Sequence, residues 1–558
     1  MSILKKTIFF LSAALLGISC VEINQKVGRE FLSEKDRFEI KFFDMDITDI
    51  SLKEPDSLSN YSTSRAVFGS MYDETFGLTT RGTTFTLIPM ESSIDLGLTP
   101  VLRSFHFAMA RDTLSVTNPV DEVAIQNILV YELEQPVDTI NTFIYSYKPS
   151  DFAGKPFISK GHPVYSGGDS LSFDFSEAYA NKFLEVLKDY KKNKEYCDSV
   201  KLFVKEIPGI YICTDEPTGG AGRINLMRLP VKYDSDLGYI TGNYAELKIR
   251  TSYFNSDSTD IRENVDTSFY FYYGATTSYS PSKTIVQYCY NFSESESKER
   301  GIEAKAAAEN AIYVESAGGV KPVISSKSLR EAFLAHLKAS EIDPKRVIIN
   351  KATLSFHYDY DGSVYEKYAY YPDYLSPWVR LSHPKYVAYA GITDYSVTTE
   401  NQGDINRSCL NYSPDITHHF QEIIRCDTLE VKDNPAKTAR NYAMRDIWLM
   451  ILANEVVVTE STGSSTTEQD YYNALMYSQY YNNMYGYGGY GGYGYDSYNY
   501  NNYYNYAMLA SMYSSTTTTE YTKDVDLMRY YNCKLYSATH PDASLRPHLK
   551  VTYSVRKQ

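Results

Sequence analysis

The sequence predicts a mainly β protein, built as two β-sandwich or jelly-roll-like domains with a few short helices and an internal duplication. Three observations carry this expectation. The 558 residues exceed what one core holds, since single cores stop growing at about 250–300 residues. Aromatic residues make up 15% of the chain, and 54 Tyr against 2 Trp make that excess phenolic; Tyr beside Val and Thr suits half-buried strands. Short Tyr-, Val- and Thr-rich runs bounded by turn residues outnumber helical patterns, and two of them lead into similar strand–helix units.

Residues 1–19 and Cys20 read as an export and anchoring signal. In "MSILKKTIFFLSAALLGISC", Lys5 and Lys6 precede an apolar run from Ile8 to Leu16, and small residues precede Cys20. That run is about half the length of a membrane span, so it reads as a cleaved secretory signal. Gly17-Ile18-Ser19 directly before Cys20 fits a lipobox, whose thiol is acylated and becomes the mature first residue. An ordinary cleavage site with a chance cysteine is the alternative, and the spacing favours the lipobox. Two or three acyl chains, at about 0.8 kcal/mol per buried CH₂, anchor a protein stably.

Residues 20–64 are polar and acidic with clusters such as "FEIKFFDMDI", and read as a lipidated tether feeding a first strand. Residues 65–290 read as the first domain. In "AVFGSMYDETFGLTTRGTTFTLIP", Gly69, Gly77 and Gly82 are expected to mark turns between short strands. Residues 291–325 begin as a charged linker. Residues 326–558 form the expected second domain, where Ser328 with Glu331 makes a capping box before Leu329, Phe333, Leu334 and Leu337. A Tyr/Gly/Asn-rich loop is inserted at 461–522.

The duplication rests on two segments. "VAIQNILVYELE" and then "LSFDFSEAYANKFLEVL" in the first half match "VIINKATLSFHYD" and then "LNYSPDITHHFQEII" in the second. Ser176 and Ser413 are the expected helix N-caps, because a Ser hydroxyl accepts from an unpaired first-turn N–H. The helices then bury Phe183, Val186 and Leu187, or Phe420, Ile423 and Ile424. The copies close on "LKI" at Leu247 and "LKV" at Leu549, and the second is longer by about the length of the inserted loop.

With 55 Lys plus Arg against 69 Asp plus Glu, the net charge of −14 excludes nucleic acid as the expected partner, since that binding neutralises phosphates with basic side chains. Apart from Cys20, the cysteines are Cys197, Cys213, Cys289, Cys409, Cys426 and Cys533, with no C-x-x-C spacing. Disulfides and buried free thiols are both open readings.

With these segments in place, the chain resembles a family of uncharacterised Bacteroidota lipoproteins, domain of unknown function 4270. The residues carrying the resemblance are "VFGSMYDETFG" (67–77), "YVESAGGVKPVI" (313–324), "VIINKATLSF" (347–356) and "RPHLKVTYSV" (546–555). The second half also looks like jelly-roll modules found beside surface carbohydrate enzymes. The resemblance implies an outer-membrane lipoprotein and transfers no catalytic residue. The family's acidic export signal is only scattered in "CVEINQKVGRE", so the membrane face stays open. Asp-Ser/Thr-aliphatic triplets at Ser57, Thr113, Thr139, Ser170, Ser199 and Thr428 look like the O-glycosylation acceptor of this phylum. Turn Asp and strand-entry Thr abutting an apolar residue is the alternative.

Few residues suggest chemistry. His418 and His419 are adjacent, so on a helix they point about 100° apart and read as a solvated face. His357 shares an outward strand phase with Asp359 and Asp361, which any half-exposed sheet makes polar. "TGGAGR" (218–223) lacks a phosphate-loop Lys and reads as a turn. No G-x-S-x-G or H-E-x-x-H occurs, so no catalytic residue, metal or cofactor is expected. The tract "YGYGGYGGYGYDSYNYNNYYNY", with Tyr485, Tyr487, Tyr490, Tyr493 and Tyr495, reads as a loosely ordered loop, a sticky ligand surface or a self-association segment. The expected function is a non-catalytic binding or structural component of the cell envelope. Its expected partners are the lipid bilayer and a glycan or envelope protein. The alternative is a glycan-binding or glycan-processing lipoprotein.

Overall fold

The structure, a computed structural model, describes residues 38–56, 58, 61–62, 65–90, 94–112, 124–136, 147–188, 200–218, 222–229, 231–234, 239–254, 261–274, 289–360, 370–383, 386–396, 401–426, 442–459 and 518–556. Among these the protein is mainly β, with five α-helices, and its strand ladders are antiparallel. None of the described helices is long and apolar enough to cross a membrane.

The first half is organised around Gly77–Pro89, a 13-residue strand. Its first part pairs with Arg65–Asp73 and Cys289–Ser295, and its last part with Ile210–Thr214 and Ile261–Gly274. One strand therefore passes between two sets of neighbours. One set continues as Gly77–Pro89, Ile210–Thr214, Gln126–Glu132 and Val164–Tyr165; the other as Ile261–Gly274, Ala245–Phe254, Val101–Ala110 and Ser170–Asp174. Alternate residues of both sets meet in one core rich in phenyl rings, with Phe105 and Phe183 centroids 4.8 Å apart and Phe107 stacked on Phe173 at 4.7 Å. Such pairs add to area burial through ring electrostatics.

The second half repeats this order with other residues. Lys321–Ile324, Ile447–Thr459, Tyr374–His383 and Tyr386–Gly391 form one set; Phe38–Asp46, His548–Arg556, Val347–His357 and Asn411–Tyr412 form the other. A further pair, Arg65–Asp73 with Gly222–Arg228, has its counterpart in Ala311–Glu315 with Asn532–Tyr536. Helix Glu177–Leu187 lies on Val101–Ala110 as helix Thr417–Arg425 lies on Val347–His357. The duplication is thus present, with a changed correspondence. The counterpart of "VIINKATLSFH" is Val101–Ala110, whereas Gln126–Glu132 matches Tyr374–His383. The expected pair was chosen on hydropathy, which does not distinguish one buried strand from its neighbour.

Residues 20–64 are more than a tether. Within them Phe38–Asp46 pairs along its whole length with the C-terminal strand, from Phe38 opposite Arg556 to Asp46 opposite His548, and Ile50–Lys53 pairs with Lys321–Ile324. In the first unit the matching edge position is filled by Ile261–Gly274, which directly follows its partner strand in sequence. In the second unit that place beside His548–Arg556 is taken by Phe38–Asp46. Residues 291–325 likewise hold helix Ile302–Glu309 and two strands, and strand Thr518–Val525 begins within the expected 461–522 insertion and runs beyond it.

Gly69 and Gly82 lie inside strands, and the turn is at 74–76, where the Asp73 carboxylate accepts from the Thr75 and Phe76 N–H groups at 2.7 and 3.1 Å. Gly82 is required by close approach: a Cβ there would meet the Tyr211 hydroxyl at 2.3 Å. Gly69 has φ +146° and faces the Arg223 carbonyl, 2.2 Å from where a Cβ would stand, a conformation open to glycine.

Helix Glu177–Leu187 is capped as expected by Ser176, whose hydroxyl accepts from Tyr179 N–H at 3.3 Å. Helix Ser326–Ala339 starts earlier than expected: Ser325 caps it, accepting from Ser328 N–H at 3.2 Å, while the Ser328 hydroxyl donates to Asp49. Ser413 is not a cap. Helix Thr417–Arg425 begins after Ile416, and its first N–H groups go to carboxylates, Asp415 at 2.9 Å from Thr417 N and Asp394 at 2.7 and 2.8 Å from His418 N and His419 N.

Candidate functional site

Two of the motifs singled out in the sequence, at 67–77 and 313–324, are brought together between the two units. Val67, Met71, Ile224 and Leu226 of the first unit pack on Tyr370 and Tyr530 of the second. Phe76 packs on Tyr313 at 5.7 Å, with Ile302, Ala306 and Val320 around it.

Beneath this apolar rim lies a sealed set of charges. Arg81, Glu315 and Lys321 are 1%, 0% and 1% exposed. Glu315 accepts on one oxygen from the Thr79 hydroxyl and on the other from Ser295, both at 2.8 Å. Arg81 donates to the Ser316 hydroxyl at 3.2 Å, and that hydroxyl accepts from Tyr531 N–H at 3.1 Å. Lys321 donates to the carbonyls of Ala317 and Gly319 at 3.0 and 2.7 Å. Asp526 and Arg529, each only 4% exposed, are joined at 3.0 Å close by, and Asp526 and Glu315 are both charge partners of Arg81.

Burial governs the protonation of these groups. It pushes the Glu315 carboxyl up, against the Thr79 and Ser295 hydrogen bonds that favour the carboxylate. It pulls Lys321 down to about 7 and Arg81 to about 10, and Glu315 opposes both shifts. An arginine at about 10 stays charged at neutral pH, and an isolated buried cation is costly, so Glu315 and Asp526 are what Arg81 needs. Chemically the set holds two units in register. It offers no open face to a substrate, and among the described residues no group of three or more His, Cys, Asp or Glu side chains is placed to hold a metal ion.

The histidine reading is corrected in part. His418 is exposed, but His419 is fully buried, because the helix turns it toward the core beside Phe420 and Ile423. Burial lowers its imidazole to about 4. The Asp394 carboxyl, 2% exposed, is raised to about 6 by burial, against the pull of the two N–H groups it accepts. The signs oppose. A lowered histidine contributes stability above its unfolded value near 6.5 that is lost as pH falls toward 4, on the order of 3 kcal/mol. A raised carboxyl contributes stability below its unfolded value of 3.8 that is lost as pH rises through about 6. A His419→Leu variant will therefore gain stability relative to the parent as pH drops from 7 to 4, by about 3 kcal/mol. Urea midpoints at the two pH values check this, and an unchanged difference would refute it.

His357 is half-buried and its imidazole is lowered by burial, then by the nearby His548 and Lys550. Asp359 lies 3.5 Å from Lys534 and accepts from the Tyr536 hydroxyl at 3.2 Å. Cys213, Cys289, Cys409 and Cys533 are free thiols, and burial pushes Cys213 and Cys289 up to about 12. Of the expected modification sites, Ser170 is described, exposed at the start of its strand opposite Ala110. Cys20, Ser57, Thr113, Thr139, Ser199, Thr428, Tyr485, Tyr487, Tyr490, Tyr493 and Tyr495 lie outside the described residues.

The structure does describe what carries the Tyr-rich tract. Strand Ile447–Thr459 leaves its neighbour Tyr374–His383 at Leu452, and beyond that point it is paired with Thr518–Val525, out to Thr459 opposite Thr518. Seven residues at about 3.3 Å each make a two-stranded ribbon some 20 Å long. Lys523 stacks over the Tyr374 ring at 4.1 Å at its base. The buried charges at the junction were not foreseen, although an acid and a base inside the apolar run "YVESAGGVKPVI" were the available signal. No known protein family, curated protein or solved structure matches the chain.

Proposed function

We propose that this chain is an outer-membrane lipoprotein, held by acyl chains on Cys20, that acts without catalysis as a binding or structural component of the cell envelope. The ribbon Ile447–Thr459 with Thr518–Val525 carries this reading: it extends past its sheet and has the whole Tyr/Gly/Asn-rich segment between its two strands. Tyr offers rigid aromatic area and a hydroxyl at low entropic cost, the chemistry of adaptable binding loops. The lipobox-like residues before Cys20 support the anchor. The sealed charges between the units support a rigid body rather than an open reaction site. The ligand favoured is a glycan or an envelope protein, since phenol rings stack on sugars and peptides alike.

Two expected results test this. Cys20→Ala will move the protein from the membrane fraction to the soluble fraction of cells; membrane retention would refute the anchor. Replacing residues 460–517 by a short Gly-Ser turn will abolish retention on polysaccharide affinity gels while leaving the melting temperature within a few degrees of the parent. Unchanged retention would exclude the segment as a glycan surface, and copurification of an envelope protein lost in the same variant would identify the protein ligand.

A further inference from the structure

The N-terminal strand presents an apolar stripe on the outside of the second unit. Phe38, Ile40 and Phe42 are 48%, 61% and 74% exposed, and Ile348, in the same row as Ile40 across Ser554, is 43% exposed. Phe42 lies in a row with Thr552 and Lys351, and Phe38 in a row with Arg556. Arg346, just before Val347, donates to the Arg556 carbonyl and brings a further cation to this end of the sheet. Four apolar side chains thus share a surface with Lys351, Arg346 and Arg556, and beyond Phe42 the same outward phase reaches exposed Asp44 opposite Lys550.

The first unit has an equivalent face. At the same position in the first unit, Ile261–Gly274 lies beside Ala245–Phe254, and its outward residues there include Asp266 and Ser268. Arg250 pairs with Asp266 at 2.7 Å, and Lys248 with Glu246 at 3.1 Å. That face is laced with charge, as a solvated sheet face is. At its end the first unit also exposes Val101, Phe254 and Ile261, at 57%, 60% and 49%, so an outward apolar end recurs in both units, and the first described strand after Cys20 belongs to the second.

We infer that this face rests on the surface of a lipid bilayer. The inference deepens the anchor reading and rests on it for the choice of occupant. The chain between Cys20 and Phe38 is short, so the first strand of the body is held within about 60 Å of any lipid on that cysteine, at the chain's maximal extension. Apolar rings flanked by Lys and Arg are the composition that settles at the headgroup–acyl boundary, the rings entering and the cations meeting phosphates. The second unit thereby lies flat against the membrane, which orients the rest of the molecule.

The test uses the mature full-length chain with Cys20→Ala, so that no acyl group contributes, and vesicles of phosphatidylethanolamine with phosphatidylglycerol. This chain will sediment with the vesicles, and Phe42→Trp will give blue-shifted emission on vesicle addition. Phe38→Ser with Ile40→Ser and Phe42→Ser will lower vesicle partition at least about tenfold. The melting temperature will stay unchanged, since these side chains are exposed. Equal partition of parent and triple variant, or no binding by either, overturns the proposal. So does a dimer of the parent that the triple substitution dissolves without any vesicle binding. The mass of the mature N-terminus from cells tests the anchor separately. An acylated chain whose Cys20→Ala form ignores vesicles sinks the face alone; an unacylated chain that binds them sinks the anchor alone.

Discussion

Deleting residues 38–53, with residues 20–37 kept, will unfold the second unit or bring it to the edge of unfolding. A tether would tolerate the loss; a pair of core-forming strands would not. Ile47 is 1% exposed, and Phe43, Met45, Ile50 and Leu52 pack against the second core. Phe43 lies edge-on to Phe333 at 5.3 Å, so the strand also seats helix Ser326–Ala339. Fully burying one such side chain contributes about 1.5–3 kcal/mol, so one full and four partial burials come to on the order of 6 kcal/mol. That is comparable to the whole stability of an ordinary domain, about 5–15 kcal/mol. Loss of hydrogen-exchange protection in Val347–His357 and His548–Arg556, with protection kept in Val101–Ala110, is the expected pattern. Full protection in the second unit after the deletion would refute the assignment of this segment to the core.

Glu315→Ala will cost about 3–5 kcal/mol, because it leaves Arg81 and Lys321 buried with one negative partner fewer. It also strips the Thr79 and Ser295 hydroxyls of their acceptor, and an unsatisfied buried donor costs about 1–3 kcal/mol. Removing the base together with the acid separates the charge effect from packing. Glu315→Leu with Lys321→Leu will recover most of the loss, since an apolar pair of similar volume replaces a buried ion pair at little net cost. Arg81 keeps Asp526 in that variant. Thermal unfolding of the parent, single and double variants checks the cycle; a double variant no more stable than the single one would show that Glu315 acts through shape and not charge.

Much of the fold was legible where burial follows a local period. Of the expected face Phe183, Val186 and Leu187, the first and last are buried while Val186 is only partly so and Leu184 takes its place; Phe420, Ile423 and Ile424 of the other helix are buried as their spacing requires. The cap of helix Thr417–Arg425 was not legible, because Asp394, which accepts from two of its N–H groups, comes from a separate 3-10 turn more than twenty residues earlier. The strand Phe38–Asp46 was hidden by its phase: its most apolar residues, Phe38, Ile40 and Phe42, face outward, while Glu39 and Lys41 alternate with them. Of the expected outward set, Asp361 lies outside the described residues and Asp359 is paired with Lys534 and Tyr536, which lie far along the chain.

The sequence by itself determined the β class and most of the helix faces, because alternation and helical spacing are written residue by residue; which strand of one copy matches which of the other came from the sheet topology. Tertiary structure alone decided partners: that Phe38 pairs with Arg556, that Glu315 meets Thr79, and that the N-terminus completes the second unit. The physical reason is that loop-closure entropy grows only slowly with separation, so an edge strand accepts a partner from either end of the chain, and the packing of the finished core selects which one.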